Sequence, residues 1–139
     1  MVFAIYAKTL VIGSDGKALV LRRSATDEDN PGHPDFPGGG VDAGESYVAA
    51  AVRELYEEAG LGADEADMQL VYAFTQYEPK KEAIIFRLLY TVRVDSADVQ
   101  LSHEHDDYWW QPLDGLQKVF AGRSWEPAIS FALKHGLAS

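Results

Sequence analysis

No cysteine occurs among the 139 residues, which excludes disulfides, thiolate zinc sites and cysteine nucleophiles and fits a reducing compartment. Basic side chains are scarce. The 12 Lys and Arg stand against 22 Asp and Glu, and the formal charge of −10 argues against general attraction to a nucleic-acid polymer or an anionic membrane. Long apolar runs are missing too. Residues 2–7 are interrupted by Lys8, lack a basic leader and an A-x-A site, and are too short for a signal peptide or a membrane span, which predicts a cytoplasmic protein. Repeats, linkers and low-complexity tracts are also absent. With 47 % hydrophobic and 24 % charged residues, what remains is an ordinary compact composition, predicting a single domain over 1–139.

Residues 2–12, rich in Val, Phe, Ile and Tyr, and residues 18–21 flank a Ser14-Asp15-Gly16 turn and predict two antiparallel strands. Residues 24–37 hold three prolines, one glycine and four acids without periodicity, a loop whose length points to function. From Ser46 the pattern changes to a 3.6-residue period. Val48, Val52, Leu55 and Ala59 form an apolar stripe between Ser46 as N-cap and Gly60 as stop, predicting a helix over 46–59. Residues 68–77 and 83–94 predict a long hairpin around Glu78-Pro79-Lys80-Lys81, and 95–107 a polar loop. A short strand at 108–110, a short helix at 114–120 and a closing helix at 124–135 follow. Strands before and after a central helix argue for an α/β or α+β sandwich.

Acids concentrate in one span. Between Asp42 and Asp67 eight carboxylates face only Arg53, so that stretch carries −7 of the total charge. On the predicted helix Glu54, Glu57 and Glu58 stand at i, i+3 and i+4, which places them on one face, opposite much of the apolar stripe. Such a trio is either a solvated acidic face or a set of oxygen ligands for a hard divalent cation.

Gly39, Glu45, Arg53-Glu54-Leu55, Glu57-Glu58 and Gly60-Leu61 fit the pattern G-x5-E-x7-R-E-U-x-E-E-x-G-U without a substitution, where U is a bulky aliphatic. Here the sequence resembles a Nudix hydrolase. An Arg pair before the box, a hairpin after it, an acid in a late loop and Trp110-Gln111-Pro112-Leu113 near the end resemble that family as well. The resemblance implies an α/β/α sandwich with a mixed β-sheet. It implies a pyrophosphohydrolase, dependent on Mg²⁺ or Mn²⁺, that cleaves a phosphoanhydride in a small-molecule nucleoside diphosphate derivative. A nucleoside triphosphate, ordinary or oxidised, is the first expectation. A dinucleoside polyphosphate hydrolase and a non-catalytic nucleotide sensor are the alternatives, and a homodimer is compatible with it. The isomerase branch of the superfamily uses a cysteine that this chain lacks.

Carried over by position, Glu54, Glu57 and Glu58 match the family's metal-binding glutamates, and the carbonyl of Gly38 its backbone ligand. Glu104, six residues before Trp110, resembles a glutamate that serves in relatives as a metal ligand or base, with Asp106 and Asp107 as substitutes. The general base stays open between Glu54, Glu58 and Glu104. Arg53 and Glu45 match a supporting ion pair, and Gly39 and Gly60 are structural box positions. Arg23 resembles an arginine that contacts substrate phosphate. Gly39 is expected beside the substrate, and glycines 38–40 and 44 to take positive φ and let backbone come close to phosphate. Tyr77, 16 residues beyond Leu61, resembles a marker of diadenosine polyphosphate hydrolases, although a tyrosine in a strand is also ordinary.

Rival patterns fall short. The G-x-G-x-x-A at residues 38–43 follows a hairpin rather than opening a helix, and Glu45 stands where a P-loop needs lysine. An EF-hand reading of Asp27 and Asp29 fails at Gly38, and His103 with His105 lacks a third zinc ligand.

Overall fold

The computed structural model describes residues 1–136 and Ala138. Leu137 and Ser139, which close the expected 1–139 domain, lie outside the described residues. Seven strands form one mixed sheet: β1 (Val2–Ile12), β2 (Ala18–Arg23), β3 (Pro34–Asp35), β4 (Gly38–Gly40), β5 (Gln69–Glu78), β6 (Ala83–Arg93) and β7 (His105–Gln111). Three helices pack on it, α1 (Tyr47–Ala59), α2 (Leu116–Val119) and α3 (Glu126–Lys134). The main path runs β3-β2-β1-β6-β5, with β4 added to β1 and β7 to β2.

Side-chain alternation along β1 and β6 sends successive residues to opposite faces, so each face needs its own cover. Leu10, Ile12, Val20 and Leu89 meet Leu116 of α2, Ile129 of α3, and Phe120 and Trp125 from the segment between them. On the other face Val11, Leu19, Leu21 and Val92 meet Leu55 and Ala59 of α1, while Ala7, Leu88 and Tyr90 meet Ala51. The result is the α/β/α sandwich. No helix among the described residues is long and apolar enough to cross a membrane.

The first hairpin differs from expectation. β1 and β2 share a single register pair, Ile12↔Ala18, and then separate. Each has a better partner: β6 lies parallel along β1 from Val2↔Ala83 to Ile12↔Arg93, and β7 lies antiparallel along β2. The edge of β1 that β2 abandons is taken by the glycine strand, with Tyr6↔Gly40, Ala7↔Gly39 and Lys8↔Gly38. Only glycine fits at 38. Its φ is 147°, and an added Cβ would stand 2.3 Å from the carbonyl oxygen of Ala7. Gly44 is also at positive φ, whereas Gly39 and Gly40 are in strand and correct the expectation that all four would be.

The helix follows its local signals. The Ser46 hydroxyl accepts from the Ala49 N–H at 3.1 Å, and Gly60 at φ 70° donates its N–H to the Tyr56 carbonyl. The second hairpin forms as β5 and β6, with a bulge between Leu70 and Tyr72. The strand expected at 108–110 starts earlier, at His105, because pairing with β2 reaches Arg23↔His105. The short helix spans only Leu116–Val119, and the loop expected over 24–37 contains the two-residue strand β3.

Candidate active site

The separation of β1 from β2 leaves a fork in the sheet, and polar side chains from five elements meet around it. Lys8 of β1 is buried, with Nζ 2.9 Å from Asp35 Oδ1 and 3.2 Å from the Gly38 carbonyl. Arg23 Nη1 reaches Asp35 Oδ2 at 3.1 Å, and His105 Nε2 lies 2.9 Å from the same oxygen. Burial alone would raise the Asp35 carboxyl, but Lys8 and His105 beside it bring it down to about 2. Asp35 is therefore an anion at neutral pH. It holds three donors in one place, as a buried charge must be held.

Glu58 stands next to this group. Its Oε1 accepts the Gly38 N–H at 2.8 Å, and the side chain is only 4 % exposed. Burial first, and the hydrogen-bonded Glu104 carboxyl next, push Glu58 up to about 9 despite Lys8. A buried carboxyl beside a second one disfavours its own ionisation unless a cation joins them. This position corrects the expected face. Glu58 sits on the buried side of α1 with Leu55 and Ala59, not opposite the apolar stripe, because its partner is the backbone of the glycine strand.

Glu54 is partly buried and packs over Gly39, where a Cβ would approach its carboxylate to 3.0 Å. Burial raises its carboxyl too, against the pull of Arg53. Glu57 is the exposed member, its side chain 54 % accessible. The three box glutamates thus span the range from buried to solvated around one end of the glycine strand.

Arg53 organises them. Its guanidinium grips Glu45 twice, at 2.8 and 3.0 Å, and its other arm reaches Glu54 at 3.1 Å and Glu57 at 3.2 Å. It also donates to the Gly40 carbonyl, so the expected Arg53–Glu45 pair exists and joins helix to strand. Gly60 ends α1 as expected, and a Cβ there would stand 3.1 Å from Gln100 Cβ.

A divalent cation fits the donor set. Ligand atoms of Glu58, Glu104 and His105 lie within 4.8 Å of one another. With Nε2 engaged by Asp35, His105 Nδ1 is buried and lacks a hydrogen-bond partner. The oxygens suit a hard cation, and the imidazole adds tolerance for a first-row metal such as Mn²⁺.

Of the other expected residues, Arg23 joins the Asp35 group and is also tied to Asp27, while Asp106 pairs with Arg22 on the surface. Asp107 accepts the N–H of Tyr108. Tyr77 is exposed on β5, away from the glutamates. Lys8 and Asp35 carry no box signature, and their one sequence signal is a cation in an otherwise apolar strand and an acid between two prolines. His105 was visible only as half of a weak zinc pair.

A family model described as the NUDIX domain matches residues 3–131. An uncharacterized Nudix hydrolase of Nostoc is 32 % identical over 91 % of this chain and 73 % of its own length. An asymmetrical bis(5'-nucleosyl)-tetraphosphatase of Caenorhabditis elegans is 32 % identical over 64 % of this chain and 65 % of its own. Among solved structures, the MutT protein of Methanosarcina mazei superposes with a TM-score of 0.79 at 26 % identity, covering 96 % of both chains.

Proposed function

The chain belongs to the Nudix hydrolases, enzymes that act on pyrophosphate-containing substrates, and we propose that it is a Mg²⁺-dependent pyrophosphohydrolase of a nucleoside triphosphate, ordinary or oxidised. The observation that carries the reading is the convergence of Glu58, Glu104 and His105 beside Glu54 and the glycine strand. In this reading Glu54, Glu57, Glu58, Glu104 and the Gly38 carbonyl hold the metal, with Mn²⁺ as a substitute.

Bound divalent ions supply neutralisation of the phosphates and lower the pKa of the attacking water. The remaining work belongs to the chain. Water oxygen forms a new bond to phosphorus, the bridging P–O bond breaks, and the bridging oxygen leaves with pyrophosphate while a nucleoside monophosphate is released. The water proton passes to a carboxylate, for which Glu54, Glu58 and Glu104 are the candidates. Arg53 keeps Glu45, Glu54 and Glu57 in fixed positions, as Gly39 and Gly60 keep the strand and helix ends close. In this reading Arg23 meets substrate phosphate by exchanging its partner Asp27.

A substrate this anionic meets a chain of charge −10, so recruitment through cations is what reconciles the two. We place the activity in the cytoplasm, in one catalytic domain over 1–139, free or as a homodimer. The second reading, dinucleoside polyphosphate hydrolysis, is favoured by exposed Tyr77 and by the name of the Caenorhabditis elegans relative.

Product analysis with Mg²⁺ and a panel of nucleoside triphosphates, oxidised nucleotides, dinucleoside polyphosphates and nucleotide sugars tests both. Metal-dependent release of monophosphate and pyrophosphate, lost in Glu57→Gln, is the expected result. Turnover confined to dinucleoside polyphosphates selects the second reading, and no turnover of any substrate leaves a nucleotide sensor.

A further inference from the structure

Arg87 is set apart from the paired arginines of the catalytic cluster by what surrounds it. Arg87 of β6 forms no ion pair among the described residues, although its side chain is half-buried in the face of the sheet that carries α3. Its guanidinium carbon lies 5.3 Å from the centre of the Trp125 ring and 5.7 Å from that of Tyr6. Nε donates to Gln76 Oε1 at 2.7 Å. Rings and amide therefore fix the plane of the fork, and burial lowers the arginine's pKa, only partly offset by the charges of Glu78 and Asp35.

The fork opens on a groove of about 440 Å³ lined by Gln76, Tyr77, Glu78, Pro79, Ile85 and Ser124, within the roughly 300–1,000 Å³ of small-ligand sites. Its separation from the glycine strand within the sheet follows from the register. Gly40, Tyr6 and Arg87 are consecutive cross-strand partners, so Arg87 is two strand spacings, about 10 Å, from the glycine strand.

We infer that this groove reads the base of the substrate and prefers guanine, through the Arg87 fork and the Glu78 carboxylate. The inference rests on the nucleotide reading above. Guanine presents two adjacent acceptors, O6 and N7, which an arginine fork meets bidentately, whereas adenine puts the N6 donor beside N7 and leaves one arm facing a donor. Guanine also carries donors on its opposite edge, N1–H and N2–H, and Glu78 is an acceptor close enough to Arg87 to act on its charge. The same Glu78 repels a second phosphate, so the groove is not built for a polyphosphate tail. Pro79 supplies apolar surface beside the ring.

The test is calorimetric titration of the full chain, in Mg²⁺, with GMP, IMP, AMP and inorganic pyrophosphate. GMP binds roughly tenfold or more tighter than AMP, within the discrimination one bidentate arginine–guanine pair supplies, and IMP falls between them. Arg87→Met removes the preference and leaves pyrophosphate binding unchanged. Glu78→Gln weakens GMP and IMP but not AMP, which serves if the arginine variant fails to fold. Equal affinity of the wild-type protein for GMP and AMP overturns the inference, as does a parallel loss of all four ligands in a folded Arg87→Met. Hydrolysis is scored separately: turnover without base preference removes this inference alone, and base preference without turnover removes the hydrolase reading alone.

Discussion

Lys8 and Asp35, 27 residues apart, form a buried ion pair at 2.9 Å, and the same ammonium donates to the Gly38 carbonyl. One cation thus ties the first strand to the acid that holds Arg23 and His105, and to the backbone on which Glu58 rests.

Removing that cation leaves Asp35 charged in a dry place. Lys8→Met is expected to destabilise the fold by about 3 kcal/mol, the low end for breaking a buried pair, since Arg23 and His105 still hold the carboxylate. Adding Asp35→Asn recovers part of the loss. Urea unfolding of the two variants checks this, and a single variant as stable as wild type would show that the pair contributes nothing.

Glu57 is exposed, so its substitution separates chemistry from folding. Glu57→Gln is expected to lower turnover with Mg²⁺ by more than the roughly 100-fold seen for outer partners of metal sites, while unfolding stability stays within about 0.5 kcal/mol. Steady-state kinetics beside a thermal melt reads both, and retained turnover removes Glu57 from the metal site.

The raised Glu58 carboxyl gives stability a definite slope with pH. The folded state keeps a proton up to about 9, whereas an unfolded glutamic acid releases it near 4.5, so the folded state binds more protons throughout that window. Without metal, stability must fall as pH rises from 5 to 9. Asp35, held at about 2, adds no slope there; its contribution is lost only as pH falls from 3.8 through 2. Mg²⁺ replaces the proton, so the stabilisation it confers grows with pH. Melts with EDTA and with Mg²⁺ across this range test the sign, and Glu58→Gln should flatten the metal-free curve.

Adjacent glycines should respond differently. Gly38→Ala meets the Ala7 carbonyl at 2.3 Å from a backbone at φ 147°, and the conformation alone costs roughly 1–3 kcal/mol before the clash is added. At Gly39 the obstacle is the movable Glu54 carboxylate, so Gly39→Ala should fold and lose Mg²⁺ affinity instead. Far-UV circular dichroism and a metal titration distinguish them; two variants of equal stability would contradict the assignment.

The sequence makes legible what local rules govern. Ser46, the 3.6-residue period and Gly60 delimit α1 within a residue, since caps and stripe act over one or two turns. The spacing of the box glutamates was equally legible, but not that Glu58 turns inward, because its partner Gly38 lies 20 residues away. The splayed first hairpin escaped for the same reason: β1 and β2 each prefer a strand from late in the chain. Lys8, Asp35 and His105 become one group only after those distant strands pair.

The parallel pairing of β1 with β6 also sets when the molecule can be finished. Every register pair from Val2↔Ala83 to Ile12↔Arg93 joins positions 81 residues apart, so the whole ladder forms behind one loop closure, an entropy of about 4 kcal/mol. At ribosomal rates of about 5–20 residues per second, β1 waits roughly 4–16 s for β6 to be made. Through that interval the apolar strand that carries Lys8 has neither its long partner nor its core. The glutamates of α1 are translated well before the sheet that gives them their geometry, and the centre they build is among the last things the nascent chain completes.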